Sequence, residues 1–301
     1  MRELKDYTMR EWFRIKPLDH FMIEVANDTL QSVFCKLRPK ALGHFLQDAQ
    51  HLSGKNIGLV IAFEKPWVLD LLLKTSARNL TGGTLLVFDN SRTQEARKDI
   101  ARVCQESAVP YLSLPPCPTR HANRSNGMAM TWVFNNVVKT IMPKTFTFID
   151  HDLIPLEKTK LGTGLENQLF YGAIRAGKLG FWTLWAGYCS YNFPAVEHLK
   201  LNFLNDFSRD LDTGGRNWPL LYKFHNQNQI RFAPRNKTEL IDPLDKSISN
   251  YRVSIVDNCW LHFGGASYQK KFQEGYEFYR RIAEAITEGK KLNTLINLSS
   301  G

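Results

Sequence analysis

TFTFIDHDLIP, residues 145–155, decides how this chain is read. Its first five residues are apolar or β-branched, the composition of a short strand buried on both faces. Asp150, His151 and Asp152 follow with no spacer. A buried strand that ends in acids sets carboxylates at its carboxyl end, where open α/β sheets bind ligands.

The same grammar recurs upstream. IGLVIAF (57–63) is a continuous apolar run, and Pro66 then stands at a first helical position ahead of a helix over 67–77. TLLVF (84–88) is a second such run, ending at Asp89-Asn90-Ser91. Ser91 and Gln94 have capping-box spacing, and Ala96, Ile100 and Val103 form a helical stripe. A third strand is expected over 109–114, stopped by Pro115 and Pro116, and a helix over 128–138. Strand and helix alternate up to residue 150. The expected fold is therefore α/β, a Rossmann-like, mostly parallel mixed sheet flanked by helices. Residues 1–54 read as a helical extension and 55–266 as one main domain, with 55–155 and 156–266 as its halves. Residues 267–301 read as a terminal helix and tail. That helix, over 267–286, carries Lys270, Lys271, Arg280 and Arg281, and its plain reading is a packed helix with a solvated face. A basic amphipathic helix can also rest on an acidic membrane.

Composition narrows the partners. The 301 residues carry a net charge of +10, spread along the chain rather than in blocks, which favours anionic ligands without choosing among them. Cys35, Cys104, Cys117, Cys189 and Cys259 show no paired spacing, as expected of reduced thiols in the cytoplasm. The first residues lack an apolar h-region, and no apolar run approaches the ~20 residues of a membrane span.

Two carboxylates one residue apart suit Mg²⁺ or Mn²⁺, which prefer oxygen. The triplet alone is weak, since 15 Asp give roughly 0.75 chance occurrences. Asp210-Leu211-Asp212 is a second one. Its position at a strand end singles out the first, against the plain alternative of a capped turn. Asp89, at another strand end, can accept from a nucleobase or a sugar hydroxyl, or can simply favour a helix start.

IGLVIAF, LLVFDNS (85–91), NRSNGMAMTWVFNN (123–136) and TFTFIDHDLIP together resemble the nucleotide-binding half of GT-A glycosyltransferases, in particular glycosyltransferase family 2. The resemblance implies a transfer from a UDP- or GDP-sugar to a hydroxyl acceptor on a carbohydrate or glycoconjugate. It implies that Phe63 and Glu64 border the base and ribose, with Asp89 and Asn123 beside the nucleotide. Asp152 would bind the metal, with Asp150 and His151 next to it. Glu64 stands where Asn is common in the family, and a His inside the triplet is a second departure. The resemblance makes His262, in WLHFGG (260–265), a late metal ligand, whereas a lone His among aromatics is usually a core residue. Asp212, ahead of Thr213, Gly214 and Gly215, resembles the turn that supplies a catalytic base for inverting transfer. Asp210 competes with it, and Glu166 ranks lower. Trp185 and Gly187 could meet a sugar, as could Gly214 and Gly215, although core packing is the stronger reading of Trp182, Trp185 and Tyr188 taken singly. Two other classes compete. A nucleotidyltransferase would carry a Gly-rich phosphate loop, which Ala62-Phe63-Glu64-Lys65-Pro66 lacks. A nucleic-acid-binding protein would rest on net charge alone.

Overall fold

The structure, a computed structural model, describes residues 1–177, 179–240, 251–264, 276–290 and 295. Three helices precede the first strand: α1 (Met9–Phe13), α2 (Lys16–Lys36) and α3 (Leu42–Ala49). Then β1 (Asn56–Ala62), α4 (Pro66–Asn79), β2 (Thr84–Asp89), α5 (Gln94–Glu106) and β3 (Tyr111–Ser113) alternate as the apolar runs require. Next come α6 (Ala122–Val133), a π-helical turn over Phe134–Val138, and α7 (Lys139–Ile141). β4 (Thr145–Asp150) ends on the first acid of the triplet, and β5 (Leu153–Pro155) starts just after the last. β6 (Phe170–Ala176), β7 (Trp182–Asn192), α8 (Phe193–Val196), β8 (Arg235–Leu240), β9 (Tyr251–Val256), β10 (Trp260–His262) and α9 (Tyr276–Thr287) complete the order. Lys270 and Lys271 lie outside the described residues. The cap of α5 is Thr93, whose hydroxyl accepts from Ala96 N, and not Ser91. Ser91 Oγ instead accepts from Glu64 N at 2.8 Å.

One sheet has the order β3-β2-β1-β4-β7-β6. β3, β2, β1 and β4 run parallel, whereas β7 is antiparallel to β4 and to β6. This is the expected mostly parallel mixed sheet. Strand periodicity divides β1 between two cores. Ile57, Leu59 and Ile61 join Phe45, Trp132 and Phe134 on the α3–α6 side. Val60 and Ala62 join Val68, Leu72 and Ile100 on the α4–α5 side. A strand covered on both faces needs apolar residues at every position, which is why the run is continuous.

A second, antiparallel sheet has the order β5-β10-β9-β8. Because β5 follows the acid triplet directly, whatever pairs with β5 stands beside the acids. That partner is β10, with His262 opposite Leu153. The β9–β10 turn is tied to the first sheet by Asp257, which accepts from Tyr171 Oη at 2.6 Å and Tyr188 Oη at 2.8 Å. Asp257→Ala should strand two buried hydroxyls and lower stability by about 3 kcal/mol, as hydrogen bonds to charged groups do. Urea melts of the variant and wild type check this.

Candidate active site

β1 and β4 are in register with Ile61 opposite Asp150, so the triplet leaves the sheet at its carboxyl lip. The side chain of Asp150 is 30% exposed toward an open cleft, and that of Asp152 only 5%. β10 delivers His262 Nε2 to 3.4 Å from Asp152 Oδ1 and 3.8 Å from Asp150 Oδ2. One ligand atom from each of the three lies within 4.8 Å of the others. Burial, and then the charge of Asp152, push Asp150 up to about 6, while His262 and Arg235 pull it back. His151 lines the same cleft with its ring buried, which lowers its pKa against the pull of Asp152 and the backbone of Ile61. Gly187 makes room for this cluster. A Cβ there would overlap the Trp185 indole and come within 2.5 Å of Asp150 Oδ2.

The cleft has a volume of about 560 Å³, a size suited to a small-molecule site. Its walls carry Arg175 from β6 and Arg235 and Lys237 from β8. The Arg235 guanidinium lies 4.0 Å from the ring centre of Trp185, a cation–π contact. Trp185 in turn meets His262 edge-on at 4.5 Å between centroids. Phe63, at the end of β1, and Asn90, just past β2, line the opposite side. Asn90 Nδ2 donates to Ser125 Oγ at 2.9 Å, and its buried Oδ1 has no partner among the described residues. Buried acceptors are rarely left unpaired.

Asp212 lines the cleft from a different element. Its Oδ1 accepts from Asn123 Nδ2, Asn205 Nδ2 and Thr213 N, each at 2.8 Å. Its Oδ2 is 2.9 Å from the Arg175 guanidinium. Asn123 reaches it because α6 packs closely there. Gly127, one turn on, leaves space for the Phe203 carbonyl that any Cβ would displace.

The other expected residues fall elsewhere. Asp89 is fully buried below the cleft, where it accepts from Ser91 N at 2.8 Å and Tyr111 Oη at 2.9 Å. Its neighbour Asn90 faces the cleft instead. Glu64 turns toward α5 and accepts from Arg92 N, Thr93 N and Thr93 Oγ1. Asp210 is exposed at a left-handed turn (φ 54°) away from the cleft lining. Gly214 (φ 90°) and Gly215 shape the turn behind Asp212 rather than the cleft wall. Glu166 pairs with Arg231 on the surface at 2.8 Å. Trp182 packs in the core against Tyr222 and Trp218, and Tyr188 is held by Asp257. Sequence reading missed Asn90, Arg175, Arg235 and Lys237. Asn90 adjoins a residue it did pick, whereas the three cations have no local motif.

No family model and no curated protein matches the chain. Among solved structures it is similar to a mannosyltransferase from Pyrobaculum calidifontis in complex with GDP-Man and Mn²⁺. Identity is 8%, over 64% of this chain and 60% of that one, at a TM-score of 0.37. It is similar also to glucosyl-3-phosphoglycerate synthase from Mycobacterium tuberculosis in complex with Mn²⁺ and UDP-glucose. There identity is 18%, over 52% and 62% of the two chains, at a TM-score of 0.30. The glycosyltransferase GlyE in Streptococcus pneumoniae TIGR4 is 14% identical over 60% and 45%, at a TM-score of 0.37. The chain spans 45–62% of the length of these three structures. Likeness at this level carries no functional argument, and the cleft itself must supply one.

Burial works to raise the pKa of Glu64, but its hydrogen bonds to Arg92 and Thr93 outweigh that and hold it below the usual carboxylate range. Its stabilisation is therefore present above the unfolded value near about 4.3 and is lost as pH falls through the lower folded value. Glu64→Gln should destabilise by about 0.5–2 kcal/mol at about pH 7, as capping losses do, and by less near about pH 3. Paired denaturant melts at both pH values measure the difference.

Proposed function

We propose that the chain is a metal-dependent glycosyltransferase that moves a sugar from a nucleoside-diphosphate donor, a UDP- or GDP-sugar, to a hydroxyl of a carbohydrate or glycoconjugate. The observation that carries this reading is the convergence of Asp150, Asp152 and His262 at the mouth of a cleft walled by Arg175, Arg235 and Lys237. Two carboxylates and an imidazole within one ion's reach are a donor set that Mn²⁺ accepts readily and Mg²⁺ less so. Burial first, and then the charge of Asp152, raise the pKa of Asp150, and a bound cation would offset both. When bound, the ion supplies Lewis-acid charge balance to the departing diphosphate.

The chain's own residues would do the rest. Arg235 and Lys237, with Arg175, draw the diphosphate into the cleft by charge. Asn90 and Phe63, which line the cleft, border the base or ribose. Trp185 and Gly187, which line the cleft beside the acids, form the wall that the sugar meets. Asp212, fixed by Asn123 and Asn205, takes the proton of the acceptor hydroxyl. The acceptor oxygen then bonds to the anomeric carbon from the face opposite the diphosphate. The bond from that carbon to the diphosphate oxygen breaks, and its electron pair leaves with the diphosphate. That geometry inverts the anomeric centre.

Melting temperatures with UDP and GDP, each with and without Mn²⁺, test the reading. The matching nucleotide at ~100 times its Kd should add about 2.7 kcal/mol of stability, and only with metal. Asp152→Asn should remove both the metal-dependent shift and sugar transfer, and Arg235→Ala should weaken diphosphate binding by about tenfold, the order of one lost charge contact. Undiminished turnover in Asp152→Asn would refute the assignment.

A further inference from the structure

Helix α2 is inside out. Its buried positions are largely polar: Glu24, Asn27 and Gln31, with Pro17 and Phe34 at the two ends. Leu18, Met22, Val25 and Val33 point outward, and each is at least 45% exposed. Their spacing of four, three and eight residues lays them on one face of a helix. Met9, Trp12 and Phe13 of α1 are exposed as well, Phe13 by 83%. A surface helix ordinarily turns its apolar stripe inward, and contiguous exposed patches mark binding sites.

The charges of this unit differ in their pairing. Three of its acids are paired: Glu11 with Arg2 at 2.7 Å, buried Glu24 with the Met1 amine at 3.2 Å, and half-exposed Asp28 with Arg216 at 3.4 Å. Asp19 is exposed. Arg10 and Arg14 at one end of the stripe, and Lys36 and Lys40 at the other, are exposed and have no acidic partner among the described residues. Leu18 to Val33 spans about 23 Å at the rise of a helix. No described helix is long and apolar enough to cross a membrane.

We propose that α1 and α2 form a docking surface for an anionic lipid bilayer. The apolar stripe and the aromatic side chains of Trp12, Phe13 and Phe21 enter the headgroup–acyl boundary, and the unpaired cations meet lipid phosphates. Free cations at both ends of an apolar stripe favour a lipid surface over a second copy of the chain, since another copy would bring the same cations against them. The surface is independent of the catalytic reading, and binding alone tests it.

Co-sedimentation of the full chain with vesicles is the experiment, using phosphatidylcholine alone and phosphatidylcholine mixed with phosphatidylglycerol. The chain should bind the mixed vesicles and lose that binding as salt rises. The double variant Met22→Glu/Val25→Glu changes solvent-facing positions and should weaken partition at least about tenfold. Arg10→Glu/Arg14→Glu should weaken it by a similar factor. Melting curves establish that both variants fold. Absence of wild-type binding at low salt overturns the proposal. So does a folded Met22→Glu/Val25→Glu variant that still binds like wild type. A wild-type dimer that ignores vesicles and is split by that variant overturns it in favour of self-association.

Discussion

Asp150 and Asp152 stand one residue apart with their charges turned toward the same point, and an imidazole completes the cluster at 3.4–3.8 Å. Burial disfavours the charge of Asp150 and the nearby Asp152 repels it, and both raise its pKa. On one side β4 is locked between β1 and β7, and on the other β5 is locked to β10. The triplet is the short span between two sheets, so the pairing on either side fixes where both carboxylates leave the backbone.

The remainder of the cleft fits around that point. β10 brings His262 because it pairs with β5, and Asp257 holds the β9–β10 turn through two tyrosines of the first sheet. Gly187 on β7 lets Trp185 lie close to Asp150, and Arg235 of the second sheet covers the same indole. Thus each sheet contributes both acid-facing and cation-bearing residues, and the cleft exists only where they meet. Asp212 approaches from a turn outside either sheet, held by α6 through Asn123. A negative cluster and a positive wall facing each other across one cleft suit a ligand that carries both a metal-bridged charge and further phosphate oxygens.

Much of this was legible in the sequence because buried parallel strands have no polar face. IGLVIAF, TLLVF and TFTFI announce themselves as continuous apolar runs, and their ends mark the lip. The acids of the triplet were visible for the same reason. Asp89 also ends a buried strand, yet its carboxylate folds back on Ser91 and Tyr111 and leaves Asn90 at the cleft. Position at a strand end does not say which of two adjacent side chains faces outward. Arg175, Arg235 and Lys237 gave no signal, since they come together only when the antiparallel second sheet closes on the first. Helix α2 shows another limit. Periodicity reveals that Leu18, Met22, Val25 and Val33 share a face, but not that this face looks away from the core.

The most direct test of the central claim is an anomalous-difference map from crystals grown with Mn²⁺ and a nucleoside diphosphate. The account predicts a manganese peak bounded by Asp150, Asp152 and His262, with the diphosphate between it and Arg235. A peak elsewhere, with the two aspartates turned from the ion and the nucleotide outside the cleft, would contradict it.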